Sequence, residues 1–120
     1  MVLVDTSVWI RHFREGVPAL GRLLNEGEVM CHPFIVGELA CGNLKNRDEI
    51  LSFLRLLPEA VPAEYDEVLN FIEEKRLMGR GLGYIDMHLS AAALLTGVAM
   101  WTYDKRLGQI NEGLGIKYEL

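Results

Sequence analysis

The apolar residues of this chain change period several times, and each change marks an element. Val2, Leu3 and Val4 run without alternation, as in a short strand covered on both faces. Past Asp5, the stretch VWIRHFR mixes apolar and charged residues at helical spacing, with Asp5 or Thr6 near the N-cap. Ala19, Leu20, Leu23 and Leu24 repeat that spacing behind Pro18, and Gly27 stops it. EVMC, residues 28–31, predicts a second strand, and Pro33 opens a helix, PFIVGELAC, that ends near Gly42. The spacing predicts further helices over 46–57, closed by Pro58, and over 64–78, with an extended piece at 59–62 between them. GRGLG, 79–83, reads as a loop, and Asp86 starts the most apolar helix, which Gly97 ends. VAMWTY, 98–103, predicts a buried strand, Asp104 to Ile110 a short helix, and IKYE a last strand.

Strands that alternate with helices, with no hairpin signal between them, imply a short, mostly parallel sheet covered by helices on both faces. The expected fold is therefore a three-layer α/β/α sandwich formed by one domain over residues 1–120. Half of the residues are hydrophobic and 24% are charged, enough apolar material for a core. The longest uncharged stretch, 89–103, falls short of the roughly 18–20 apolar residues of a spanning helix. With no basic and apolar leader at the N-terminus, a cytoplasmic location is expected. Cys31 and Cys41 form no paired motif and read as small buried hydrophobes in a reducing compartment.

Four acids interrupt apolar segments. Asp5 and Asp104 each end a strand, Asp86 precedes an almost wholly apolar helix, and Glu38 lies inside a helix otherwise without charge. In an open parallel sheet, ligand sites form beyond the carboxyl ends of the strands, where strand order reverses. Four carboxylates meeting there need a cation among them to stay ionised. An all-oxygen set fits one or two Mg²⁺ or Mn²⁺ ions rather than Zn²⁺. Thr6, Ser7 and Thr102 stand beside the strand-end aspartates and could hold ligands or water through their hydroxyls. Taken singly, each aspartate also suits a helix N-cap and Glu38 an ordinary helix-surface charge. The hydroxyl residues likewise suit caps and turns.

The segments VLVDTSVWI, IVGELACG, GYIDMHLSAAAL and WTYDKRL together resemble the four acidic motifs of PIN-domain ribonucleases. The likeness is greatest to the small VapC-type toxins of toxin–antitoxin pairs, and it spans the whole chain in motif order. It implies Asp5, Glu38, Asp86 and Asp104 as a catalytic, Mg²⁺- or Mn²⁺-binding pocket that hydrolyses RNA phosphodiester bonds. Thr102 matches a hydroxyl position of the family and Ser7 a more variable one, while Asn111 is a further polar pocket candidate. Leu107 stands where many relatives have Phe. A VapB-type antitoxin and a homodimer are the implied partners, with Phe53, Leu54, Leu57, Phe71 and Ile72 as an apolar surface or, at helical spacing, core.

The net charge of −5 disfavours a nucleic-acid binder, although two divalent ions would cancel most of it. Arg11, His12, Arg14, Arg80, Lys105 and Arg106 flank the acidic motifs and could meet phosphates, or simply be solvated. His32 suits a cap before Pro33, His88 packing near the pocket, and Trp9 and Trp101 the core. A haloacid-dehalogenase-type phosphatase would need a second acid two residues after its nucleophilic aspartate, where Ser7 stands. The paired acids of a receiver domain are missing too. A non-catalytic α/β binding module or an inactive toxin relative is the remaining alternative.

Overall fold

A computed structural model describes residues 1–120. Its sheet has three parallel strands, β1 (Val2–Val4), β2 (Val29–Met30) and β3 (Ala99–Trp101), in the order β2-β1-β3. Successive strand side chains point to opposite faces, yet Val2, Leu3 and Val4 are all buried. Helices therefore cover both faces of the central strand, as the unbroken apolar run implied. Between β1 and β2 run α1 (Thr6–Glu15) and α2 (Pro18–Asn25). Between β2 and β3 run α3 (Pro33–Ala40), α4 (Arg47–Leu56), α5 (Tyr65–Glu74) and α6 (Tyr84–Thr96). Helix α7 (Lys105–Gly113) follows β3.

A single cluster of 25 buried hydrophobic residues forms the core, with Trp9, Trp101 and Leu107 among them. Ser90, inside α6, donates to Asn111 Oδ1 at 2.8 Å, and both residues are buried. That pairing satisfies the Ser90 hydroxyl, which the core would otherwise penalise, while the buried Asn111 keeps its amide Nδ2 without a partner. No helix is long and apolar enough to cross a membrane.

Several boundaries differ from the expectation. Helix α6 begins at Tyr84, two residues early, because its N-cap is Gly83. Helix α5 stops at Glu74, and the chain turns at Arg76 with φ of 52°. Helix α7 runs three residues beyond Ile110. IKYE adds no strand: Met100 donates to Ile116 O and accepts from Tyr118 N, which makes one isolated bridge at Lys117. Cys41 is exposed at the C-cap of α3, where helix geometry turns it out of the core, whereas Cys31 is buried as expected. Burial pushes the Cys31 thiol up to about 11. Of the apolar surface candidates, Phe53 is exposed and Leu54 is core, while Leu57, Phe71 and Ile72 pack half-buried against the core. The most exposed large hydrophobic side chain of that region is Leu56.

Candidate active site

β1 lies between β2 and β3, so the strand order reverses around it, and the crevice beyond its carboxyl end begins at Asp5. The backbone there is tied to the neighbouring strand, because Asp5 N donates to Trp101 O at 2.9 Å. The Asp5 carboxylate is buried, and all of its protein hydrogen bonds converge on one oxygen. Ser7 Oγ donates to Oδ2 at 2.7 Å and Thr102 Oγ1 at 2.8 Å, with Ser7 N more distant at 3.4 Å. Ser7 Oγ also accepts from Tyr103 N at 3.0 Å, and Thr102 Oγ1 from Asp104 N at 3.0 Å. Residues nearly a hundred positions apart thus fix the orientation of one carboxylate.

The other three acids are held in the same half-engaged way. Glu38, exposed on α3, accepts from Thr6 Oγ1 through Oε1 at 2.7 Å. Asp86 accepts from Gly83 N through Oδ2 at 3.2 Å, bracing a helix start whose cap residue has no side chain. Asp104 caps α7 through Oδ1, which accepts from Leu107 N at 3.1 Å. In each carboxylate one oxygen is pinned by the protein and the other has no protein donor. The N-cap reading and the ligand reading of Asp5 and Asp104 are therefore compatible, since capping uses one oxygen only, whereas Asp86 is not the N-cap but the third residue of α6, reaching back to Gly83 N.

Burial, before any other influence, raises the Asp86 carboxyl above the usual carboxylate range. The Gly83 amide opposes that rise, and the charges of Asp5, Asp104 and Glu38 add to it. The four acids therefore share one electrostatic neighbourhood. Three or more acidic, His or Cys side chains are nowhere gathered closely enough to form a coordination shell alone. The donor set still suits a hard cation that keeps water in part of its shell, as Mg²⁺ commonly does.

The histidines stand apart from this oxygen set. His32 caps α3, with Nδ1 accepting from Phe34 N at 3.0 Å, and His12 Nδ1 accepts from Val17 N at 3.0 Å. His88 is buried edge-on against Phe34 and Tyr84. Among the cations, Arg11 stacks over the Tyr103 ring at 3.9 Å, and Arg106 lies against Gly81 so closely that a Cβ there would collide with it. Lys105 and Arg80 are exposed. The Arg11–Tyr103 contact was not legible in the sequence, because it joins a helix to a loop 92 positions away.

The PIN domain family pattern matches residues 2–113, and the chain belongs to that family. It is similar to the Ribonuclease VapC32 of two Mycobacterium tuberculosis strains, CDC 1551 / Oshkosh and ATCC 25618 / H37Rv. Identity to each is 46% over 108 residues, which cover 89% of this chain and 87% of the relative. Among solved structures, PAE2754 from Pyrobaculum aerophilum shares the fold with a TM-score of 0.63 at 18% identity. That match covers 93% of this chain and 80% of the other.

Proposed function

We propose that the protein is a divalent-metal-dependent ribonuclease of the VapC type, with Asp5, Glu38, Asp86 and Asp104 as its metal-holding acids. The observation that carries this reading is the common electrostatic neighbourhood of the four carboxylates, each with one oxygen free of protein donors. The likeness to Ribonuclease VapC32 supports RNA as the substrate. When bound, Mg²⁺ or Mn²⁺ stabilises developing charge on the phosphate and lowers the pKa of water.

The chain's own residues orient the donors. Ser7 and Thr102 hold Asp5 through Oδ2 and leave Oδ1 without a protein donor, while Thr6 leaves Oε2 of Glu38 free. Such supporting hydrogen bonds set ligand direction, and their loss commonly costs about 10–100-fold in metal affinity or activity. A VapB-type antitoxin as inhibitor and a homodimer belong to the same reading, with exposed Phe53 and Leu56 on α4 available as apolar contacts.

Titration of Mn²⁺ by calorimetry into wild type and Asp86→Asn tests the metal site directly. Wild type binds and the variant loses binding by tenfold or more. Removing a raised carboxyl also leaves the metal-free variant at least as stable as wild type at pH 7, because the charge it lacks was unfavourable there. Equal binding by both proteins would take Asp86 out of the site. Absence of Mn²⁺-dependent RNA cleavage by folded wild type would defeat the enzyme reading.

A further inference from the structure

Helices α6 and α7 each carry one of the four acids at their open end: Asp86 is the third residue of α6, and Asp104 is the N-cap of α7. Deeper in the fold, each helix also carries a buried polar side chain. Ser90 follows Asp86 by four residues and Asn111 follows Asp104 by seven, spacings that return to nearly the same helix face. Ser90 Oγ donates to Asn111 Oδ1 at 2.8 Å, and both residues are fully buried. This is the one hydrogen bond that joins α6 to α7. Two acids from separate parts of the chain thus stand above a tie that lies about one turn along α6 and two along α7.

The surroundings of the pair supply no other register. Met87, Leu89 and Ala91 to Ala93 of α6 are buried, as are Leu107 and Ile110 of α7. Apolar contact is non-directional, and alanines raise only low ridges to interlock with a neighbour. A slip of one residue would move a helix by about 1.5 Å along its axis with little change in buried area. The hydrogen bond discriminates between such registers, because a slip would leave both polar groups unpaired in the core. As a plain stabiliser it is poorly made: Asn111 Nδ2 is buried with no partner, and hydrocarbon at both positions would avoid that penalty. A polar pair kept in such a place specifies arrangement more than it adds stability. The other contact between these segments, Arg106 against Gly81, is made at the surface by a flexible side chain and sets no axial position.

We propose that Ser90 and Asn111 are positioning residues whose hydrogen bond sets the register of α6 on α7 and so fixes Asp86 against Asp104. The proposal rests on the ribonuclease reading and adds two buried residues that act through the acids. A misplacement of about 1 Å at a reacting centre can cost on the order of 100-fold, so a slip of less than one residue matters.

The test compares Ser90→Ala and the double variant Ser90→Ala/Asn111→Leu with wild type, by Mn²⁺ calorimetry and by urea unfolding without metal. Ser90→Ala lowers the urea midpoint because it strands the Asn111 amide, and the double variant regains it by removing both polar groups. Mn²⁺ affinity nevertheless falls about tenfold in both, as when a group that orients metal ligands is lost. In RNA cleavage at saturating Mn²⁺, kcat falls by a similar factor while KM for RNA holds. Val17→Ala, a core deletion beyond the end of α1 farthest from Asp5, lowers the midpoint but keeps wild-type Mn²⁺ affinity.

Mn²⁺ affinity that recovers together with the midpoint in the double variant would overturn the proposal and leave the pair as a core bond alone. Wild-type affinity in both variants would overturn it too. Should the double variant not fold, the two single variants decide: a loss of affinity confined to Ser90→Ala upholds the register, and equal affinity in Ser90→Ala and Val17→Ala overturns it. In each of these cases the ribonuclease reading stands if wild type binds Mn²⁺ and cuts RNA. Folded wild type that takes up no Mn²⁺ would sink that reading and the proposal with it.

Discussion

Asp5 and Asp104 occupy the same local frame, a short apolar strand before and a helix after, but the fold treats them differently. Asp5 is 6% exposed and takes two hydroxyl donors, whereas Asp104 is exposed and its carboxylate accepts one backbone amide. The cause is sheet position. β1 is the central strand, so its end is roofed by the end of β3, which supplies Thr102. β3 is the outer strand of the sheet, flanked on its far side only by the single bridge at Lys117. Equivalent motifs therefore yield a buried, oriented carboxylate in one case and a solvent-facing cap in the other.

The largest effect expected from this pair erases the difference. If both acids serve the same ion, Asp5→Asn and Asp104→Asn each lower Mn²⁺-dependent RNA cleavage by about 100-fold or more, despite their unequal burial. Initial rates on one RNA substrate check this. A variant that keeps near wild-type rates would assign its carboxylate to capping alone.

Stability separates the pair instead. Asp5→Ala strips the Ser7 and Thr102 hydroxyls of their shared acceptor in a buried setting and costs about 2–3 kcal/mol. Asp104→Ala removes an exposed N-cap and costs about 1 kcal/mol. Urea unfolding of both variants measures the gap, and equal losses would show that strand position does not govern the contribution of the cap.

How much of this could be read in advance follows from the range of each interaction. Asp5, Asp104 and Glu38 stood out because a charge interrupts a local apolar pattern, and the strands and helices themselves rest on local periodicity. Asp86 was placed at the helix start and lies instead inside its first turn, since Gly83 gives no cap signal of its own. Cys41 carried the same composition signal as Cys31, and only the turn of α3 distinguishes them. Convergence of Ser7 and Thr102 on one oxygen of Asp5, and the stacking of Arg11 on Tyr103, depend on pairing β1 with β3. Local spacing marked the first set as neighbours of aspartates, but it could not assign Thr6 to Glu38 across 32 positions.

A third helix start sharpens the comparison by adding pH. Helix α3, which carries Glu38, is capped by a buried imidazole: His32 Nδ1 accepts from Phe34 N at 3.0 Å. Burial, and secondly the nearby His88, hold His32 below the usual imidazole value, so the folded protein keeps it neutral. Protonation would turn the acceptor into a donor and break the cap. The sign follows directly: the stability this cap contributes is present above the unfolded value of about 6.5, and it is lost as pH falls through the depressed folded value. Its size is that of an N-cap, about 1 kcal/mol. His88 is lowered by burial too and adds its own loss over the same range. Urea midpoints at pH 7.5 and 5.5 therefore fall more in wild type than in His32→Asn, which retains a capping oxygen without titrating. Equal falls in the two proteins would leave the pH response to His88 and remove His32 as the element that loosens α3, and with it Glu38, in acid.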